Sequence, residues 1–138
     1  MTHILVVEDE PSIQSVIRKT LTKIGGYEVT VTEEVGLSLY LLRTGQVGLV
    51  VMDVSLSNSR YEGELIDGLA FTRLIKQDPL IRHVPVLLAT AYALPGDEER
   101  LREMSGAEGY IAKPFAQPRL LVHKVREMLN GSVSLSAH

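Results

Sequence analysis

Three carboxylates stand directly after short apolar runs of this chain. Glu8 and Asp9 follow the run from His3 to Val7, and Asp53 follows Val50-Val51-Met52. A carboxylate at the end of a buried strand is costly without a partner, and grouped carboxylates repel one another unless a cation joins them. Because oxygen ligands suit a hard divalent ion, we expect Glu8, Asp9 and Asp53 to bind Mg²⁺ or Mn²⁺.

A hydroxyl and an ammonium follow two later apolar runs. Thr90 comes after the run at 84–89, and Lys113 comes after 109–112. A carboxylate beside a divalent ion can attack a phosphoryl group and form an acyl phosphate, whose three oxygens each need a partner. The ion would hold one oxygen, Lys113 the second, and Thr90 with a backbone N–H the third. These residue types predict phosphoryl transfer onto Asp53.

Each of these side chains has an ordinary structural explanation when it is taken alone. The role of Asp9 could be limited to capping a helix that begins at Pro11. Thr90 could be an ordinary threonine at the end of a strand, and Lys113 could be an ordinary surface lysine. Asp53 is harder to explain in this way, since a buried strand precedes it. The joint position of these residues at the ends of four apolar runs favours one shared site.

Strands and helices alternate along the chain and must position this site. Apolar runs typical of buried parallel strands are separated by stretches with the 3.6-residue period of a helix. This alternation predicts an α/β fold, a doubly wound five-stranded parallel sheet with helices on both faces, whose carboxyl edge collects the ligand-binding side chains. The predicted strands cover 3–7, 27–31, 47–52, 84–89 and 109–112, and the predicted helices cover 11–24, 34–43, 66–77, 97–104 and a last stretch that ends at Gly131.

The composition limits the class of protein. The chain has 138 residues and no cysteine, and the absence of cysteine excludes disulfides and thiolate metal sites. Its net charge is −3, so it offers no positive electrostatic field that would attract nucleic acid. No apolar run approaches the ~18 residues of a membrane-spanning helix. We therefore expect one soluble, cytoplasmic domain over 1–131 with a disordered tail over 132–138, no direct nucleic-acid contact and no membrane insertion.

The connection between Asp53 and the third helix is unusually long. Residues 54–65 fill it, whereas a strand-to-helix connection usually has ~2–6 residues. The segment contains several serines, Gly63 and the pair Arg60-Tyr61. This composition predicts a mobile surface segment in which the aromatic side chain of Tyr61 is available to a partner. A neutral insertion is the alternative, because long insertions cost little loop-closure entropy.

Several motifs, in this order, resemble the response-regulator receiver family of two-component signalling. The similarity spans about residues 3–130 and implies a flavodoxin-like, CheY-like fold with strand order 2-1-3-4-5. Asp67-Gly68 resembles the pair that opens the third helix in that family. The four main motifs are Val6-Val7-Glu8-Asp9-Glu10, Val50-Val51-Met52-Asp53, Ala89-Thr90-Ala91 and Gly109-Tyr110-Ile111-Ala112-Lys113-Pro114-Phe115.

The resemblance implies a role for each polar residue that follows a strand. Asp53 would be the phosphoacceptor, Glu8 and Asp9 the acidic metal-binding pair, and the backbone carbonyl of Ser55 a further metal ligand. Lys113 would be the phosphate-binding lysine. A histidine kinase or a histidine phosphotransfer protein would supply the phosphoryl group, so the domain would be a signalling switch that catalyses only its own phosphorylation and dephosphorylation, not an enzyme.

The resemblance also implies a switch. Thr90 would be its hydroxyl and Tyr110 its aromatic, and phosphorylation would reshape the surface of the fourth helix, fifth strand and fifth helix, where a target protein docks. Tyr110 as a plain strand aromatic is the alternative. The candidate contact residues on that surface are Arg100, Arg119, His123 and Arg126.

The chain departs from the family pattern in the long connection. Ser57 stands where that pattern has a proline, which puts partner recognition by this segment in doubt. Tyr92 occupies a position that varies among receivers and influences dephosphorylation there. The bond between Lys113 and Pro114 matches one that is cis in the family.

Three other functions fit the sequence less well. An aspartate-nucleophile phosphatase of the haloacid-dehalogenase type needs an acid two residues after the nucleophile, where this chain has Ser55. A flavodoxin-like cofactor binder needs glycines and hydroxyls in the first loop, where this chain has Glu8-Asp9-Glu10-Pro11. A receiver used only as an interaction module would not need the full set of acids with Thr90 and Lys113.

Overall fold

A single parallel sheet organises the part of the chain that the computed structural model describes, namely residues 2–91, 94–113 and 117–137. The strands are β1 (His3–Val7), β2 (Glu28–Thr32), β3 (Val47–Asp53), β4 (Arg60–Tyr61), β5 (Glu64–Leu65), β6 (Val86–Thr90) and β7 (Gly109–Ala112). The helices are α1 (Pro11–Lys19), α2 (Val35–Arg43), α3 (Gly68–Gln77), α4 (Asp97–Ser105) and α5 (Pro118–Ala137), and α1 continues into a π-helical segment at Thr20–Ile24.

The five-stranded sheet has the order β2-β1-β3-β6-β7, and all its neighbouring strands are parallel. Because β4 and β5 lie outside this sheet, β6 and β7 are its fourth and fifth strands. The predicted order 2-1-3-4-5 and the predicted fold class are therefore confirmed. In the described ranges, no helix combines the length and the apolar character needed to cross a membrane.

Helices cover both faces of the sheet, and the strands feed two separate cores. On one face Leu5 and Val7 of β1 pack with buried residues of α2, α3 and α4. On the other face Ile4 and Val6 pack with buried residues of α1 and α5. Side chains of a strand alternate between faces, so a continuous apolar run such as β1 is what a doubly covered strand requires.

Residues 60–65, which lie in the segment that the sequence predicted to be mobile and at the surface, form an antiparallel hairpin of β4 and β5. Glu62 and Gly63 at its turn have positive φ values of 52° and 85°. Two such residues match the twist of a two-residue hairpin, but the usual sequence signal is Asn-Gly or Asp-Gly. Strands of two residues also carry no alternating pattern, which is why the sequence did not predict this hairpin.

The last helix continues beyond its predicted end. It reaches Ala137, whereas the sequence placed the end at Gly131. Gly131 lies within the helix, and a Cβ at this position would meet nothing within 4 Å. A glycine costs only ~1 kcal/mol inside a helix and does not end one without a following signal. The division into a domain over 1–131 and a tail over 132–138 stays a prediction.

Candidate functional site at the carboxyl edge

Glu8 lies directly after β1 and is only 1% exposed. Its Oε2 accepts hydrogen bonds from the backbone N–H groups of Asp9 and Glu10, at 3.0 and 3.3 Å. Its Oε1 accepts a hydrogen bond from Nζ of Lys113 at 2.9 Å. The side chain of Gln14 in α1 donates to the Glu8 carbonyl at 2.6 Å, so the helix fixes the position of this loop.

Asp53 ends β3 and is 4% exposed. The N–H of Val54 donates to the carbonyl of Ala89 in β6 at 3.0 Å, which extends the sheet one residue beyond the carboxylate. Oδ1 of Asp53 accepts hydrogen bonds from the Ser55 N–H and from Lys113 Nζ, both at 3.0 Å. The carboxylate is therefore held by its own turn and by a side chain from the far strand.

The start of α3 packs against the backbone of Asp53, and only glycine fits there. A Cβ at Gly68 would overlap the carbonyl oxygen of Asp53 and would lie 2.9 Å from Cα of Val54. The Gly68 N–H donates to the Val54 carbonyl at 3.1 Å, and the Asp67 side chain caps the helix by accepting from the Ala70 N–H at 2.8 Å. The pair Asp67-Gly68 thus seats the helix on the turn that holds Asp53.

Lys113 joins the first and third strands from the far side of the sheet. Its backbone N–H donates to the carbonyl of Thr90 at 2.7 Å, which continues the pairing of β6 with β7. Its side chain is 11% exposed, and Nζ lies between Glu8 and Asp53. The ammonium therefore bridges the two buried carboxylates.

The third carboxylate, Asp9, receives its hydrogen bonds from the long connection. The N–H and the hydroxyl of Ser57 both donate to Oδ2 of Asp9, at 2.7 and 3.0 Å. Asp9 is half-buried, and carboxylate oxygens of Glu8, Asp9 and Asp53 lie within 4.8 Å of one another. The structure thus brings the three predicted carboxylates together.

These groups face an open cleft of about 540 Å³ at the carboxyl edge of the sheet. Six of the residues that line it are Asp9, Asp53, Ser55, Ser57, Asn58 and Lys113. Ser55 lies beside the carboxylates, as expected, while a role for its carbonyl as a metal ligand stays a prediction. The cleft gives a small charged molecule access to Asp9 and Asp53, while Glu8 lies buried behind them.

The electrostatics of the cleft reflect an excess of carboxylates. Burial and the neighbouring Asp53 raise the pKa of Glu8 to about 7, against the lowering effect of Lys113. Burial alone would lower the pKa of Lys113, but its hydrogen bonds to Glu8 and Asp53 raise it. Burial would raise the pKa of Asp9, but the two hydrogen bonds from Ser57 lower it. Three acids face one ammonium, so a cation would be favoured here.

Comparison with known proteins identifies the family. The family model of the response regulator receiver domain matches residues 4–126. The chain belongs to the response-regulator receiver family. The polar-differentiation response regulator DivK of Brucella ovis is 33% identical over 121 residues, which is 88% of this chain and 92% of DivK. DivK of Brucella anthropi is 36% identical over 118 residues, which is 86% of this chain and 89% of DivK.

Solved structures of receivers share the fold of this one. The receiver domain of NtrX from Brucella abortus has a TM-score of 0.77 at 26% identity, with 92% of this chain and 98% of that domain covered. A CheY-like receiver domain protein from Methanospirillum hungatei JF-1 has a TM-score of 0.77 at 24% identity, with 97% and 98% covered. The latter likeness concerns the fold alone. The predicted family is confirmed, and the chain is a receiver domain of two-component signalling.

The two predicted switch residues of this receiver lie on neighbouring strands. Thr90 ends β6, is fully buried and pairs with Ala112 of β7. Tyr110 of β7 is half-buried and packs against the core beneath α2, α3 and α4. Burial and the negative charges of Asp97 and Glu98 at the start of α4 raise the pKa of Tyr110. Their positions suit the predicted switch, and their roles stay predictions.

Four candidate contact residues lie on the surface of α4, β7 and α5, and all are exposed: Arg100, Arg119, His123 and Arg126.

Two other predictions, the cis bond before Pro114 and the influence of Tyr92, fall on residues outside those that the structure describes. They stay expectations.

Sequence reasoning missed the contact between Ser57 and Asp9. In the sequence Ser57 stands out only as a departure from a proline, although its N–H and hydroxyl offer two donors where a proline offers none. The two residues are 48 positions apart, so no local pattern connects them. The available signal was the combination of that departure with the placement of both residues at the same edge of the sheet.

Proposed function

We propose that this receiver accepts a phosphoryl group on Asp53, in a reaction that requires a divalent cation, from a histidine kinase or a histidine phosphotransfer protein. One observation carries the proposal. Nζ of Lys113 lies 3.0 Å from Asp53 and 2.9 Å from Glu8, and carboxylate oxygens of Asp9, Glu8 and Asp53 lie within 4.8 Å of one another. These groups would supply a nucleophile, ligands for a cation and a fixed positive charge in one open cleft.

The donor set suits Mg²⁺ or Mn²⁺. Glu8, Asp9 and Asp53 would hold the ion, with the carbonyl of Ser55 as a further ligand. All of these ligand atoms are oxygens, which hard cations prefer, and the chain has no cysteine. The bound ion supplies positive charge that offsets the charge on the phosphoryl oxygens.

The residues of the chain divide the remaining work. A carboxylate oxygen of Asp53 attacks the phosphorus, the P–N bond of the phosphohistidine breaks, and its electron pair stays with the imidazole nitrogen. Lys113, already fixed beside Asp53, would pair with one phosphoryl oxygen. Thr90 would donate its hydroxyl to another, which is a charge-assisted hydrogen bond.

The same modification would operate the output. Bonding of Thr90 to the phosphoryl group would let Tyr110 change rotamer, and the surface of α4, β7 and α5 would then favour a target protein. A ligand shifts such an equilibrium only through its different affinity for the two states. The domain would thus modify only itself, and the cytoplasmic location expected from the sequence stays a prediction.

A small phosphodonor tests the proposal without the natural kinase. We expect acetyl phosphate or phosphoramidate with Mg²⁺ to add one phosphoryl group per chain by intact mass, with the lability to base and hydroxylamine of an acyl phosphate. Asp53→Asn or removal of Mg²⁺ by EDTA should abolish this mass gain. Asp78→Asn, at the other end of α3, is the matched control and should label normally. Undiminished labelling of native Asp53→Asn would overturn the proposal.

A further inference from the structure

The long connection begins inside the cleft, before its hairpin. Ser57 donates to Oδ2 of Asp9 through both its backbone N–H, at 2.7 Å, and its hydroxyl, at 3.0 Å. Asp9 lies in the loop after β1, so these bonds tie together two segments that are 48 positions apart. The start of the long connection thus forms one side of the cleft.

Two donors on one oxygen restrict the rotation of a carboxylate. Oδ2 of Asp9 is directed towards Ser57, and the group as a whole keeps an oxygen within 4.8 Å of the carboxylate oxygens of Glu8 and Asp53. Without such partners, a half-buried aspartate would keep its rotamer freedom until it binds an ion, and the loss of that freedom would then weaken ion binding. Ser57 therefore removes that entropic cost in advance.

The backbone of Ser57 is itself held in place. Ser59 is 2% exposed, and its hydroxyl donates to the carbonyl of Glu33 at 2.6 Å. The N–H of Ile66 donates to the carbonyl of Ser59 at 2.9 Å, which closes the base of the hairpin. Ser59 is thus anchored at the base of the hairpin, and these bonds limit the movement of the backbone at Ser57, two residues before it.

We propose that Ser57 is a positioning residue for the divalent cation, since it orients Asp9 towards the pocket with both of its donors. This inference rests on the metal site of the proposed function and adds a residue to it. A proline at this position, as in the pattern that the chain otherwise resembles, would have neither the N–H nor the hydroxyl. The affinity for the ion is therefore set in part by the serine that this chain has in place of that proline.

The test is a titration of the full chain with MgCl₂ by calorimetry, because partners that orient metal ligands usually contribute about 10- to 100-fold to affinity. Ser57→Ala removes the hydroxyl and keeps the N–H, and should raise the Kd for Mg²⁺ about tenfold. Ser57→Pro removes both donors and should raise it by up to ~100-fold. Ser57→Thr restores the hydroxyl and should bind within about twofold of the wild type, which a merely structural role would not predict.

Ser12→Ala is the matched control, since Ser12 also lies at this edge but donates to Glu10, which is not a proposed ligand. Its Kd should equal that of the wild type. If Ser57→Pro does not fold, the difference between Ser57→Ala and Ser57→Thr still decides.

Two outcomes would overturn the inference, and they differ. Wild-type affinity in folded Ser57→Ala, together with loss of binding in Asp9→Asn, would refute the positioning role and leave the proposed function intact. A wild-type protein that neither binds Mg²⁺ nor becomes phosphorylated would refute the proposed function and this inference with it.

Discussion

Two lysines of this receiver are nearly buried, but they sit in different electrostatic settings. The side chains of Lys113 and Lys76 are 11% and 14% exposed. Nζ of Lys76 lies 2.8 Å from the carboxylate of Glu108 and donates to the carbonyls of Arg82 and Val84, at 3.1 and 2.7 Å. One ammonium meets one carboxylate there, and Glu108 remains 45% exposed. Lys76 is therefore a balanced structural contact.

The setting of Lys113 is unbalanced. It bonds to two carboxylates, Glu8 and Asp53, whose side chains are only 2% and 4% exposed, and Asp9 lies beside them. Removing charge from water costs free energy that a partner must offset, and one ammonium offsets only part of that cost for three acids. Two lysines with similar burial can therefore have different roles. The number of carboxylates around each ammonium distinguishes a structural contact from a site that needs a cation.

The largest expected effect comes from removing the ammonium of the cleft. Lys113→Met should slow phosphorylation by acetyl phosphate about 100- to 1000-fold, as does the loss of a fixed donor in other group transfers. The same variant should bind Mg²⁺ more tightly, since the ammonium no longer competes for Glu8 and Asp53. Time courses by intact mass and calorimetric titrations measure the two effects. Lys76→Met should label at the wild-type rate, and an equal loss in both variants would refute the distinction.

The backbone beneath Asp53 should be nearly as sensitive. Gly68→Ala places a Cβ against the carbonyl of Asp53, so α3 must shift, and we expect a loss of about 3 kcal/mol in the free energy of unfolding. Urea denaturation measures it. Gly36→Ala in α2 is the matched control, because a Cβ there meets nothing within 4 Å. It should be neutral or stabilise by ~0.5–1 kcal/mol, and a similar loss at both glycines would contradict the close packing at Gly68.

The buried strands and the residues that follow them could be read from the sequence because burial on both faces leaves a continuous apolar run. The predicted bounds of β1 and β7 match the structure, and β3 differs only by including Asp53. The predicted end of α5 was too early, since a glycine such as Gly131 is only a weak stop signal. The hairpin at 60–65 and the bonds from Ser57 to Asp9 depend on contacts between segments, which composition and periodicity do not encode. The carboxylates were thus predictable, and the residue that orients one of them was not.

Lys76 should matter for stability rather than for chemistry. Lys76→Met leaves the carbonyls of Arg82 and Val84 without this donor and removes the partner of Glu108. We expect a loss of about 2 kcal/mol in the free energy of unfolding, a value held down by the exposure of Glu108. Lys124→Met, which loses only an exposed contact with Glu127 at 3.5 Å, should change it by less than about 0.5 kcal/mol. If Lys76→Met also changed the free energy of unfolding by less than about 0.5 kcal/mol, the hydrogen bonds of Lys76 would contribute nothing to stability.

The last predicted effect is a pH dependence that only the unbalanced pocket should show. In EDTA, the pKa of Glu8 is raised from 4.5 to about 7, chiefly by burial and by Asp53. Between these pH values the folded state holds a proton that the unfolded state has released, so stability falls as the pH rises through this window and then levels off. Glu8→Gln removes this titration and should gain about 1–3 kcal/mol over the wild type between pH 4.5 and 8.

Chemical denaturation at a series of pH values measures that gain, and Glu28→Gln, an exposed position of β2, should follow the wild type throughout. Mg²⁺ should reverse the ranking at pH 8, because an ion that binds only the folded state stabilises the wild type and loses a ligand in Glu8→Gln. Parallel curves for the wild type and Glu8→Gln in EDTA would mean that Lys113 alone balances the pocket. The cleft would then resemble the setting of Lys76, and its excess of acids would no longer be a reason for a cation to bind.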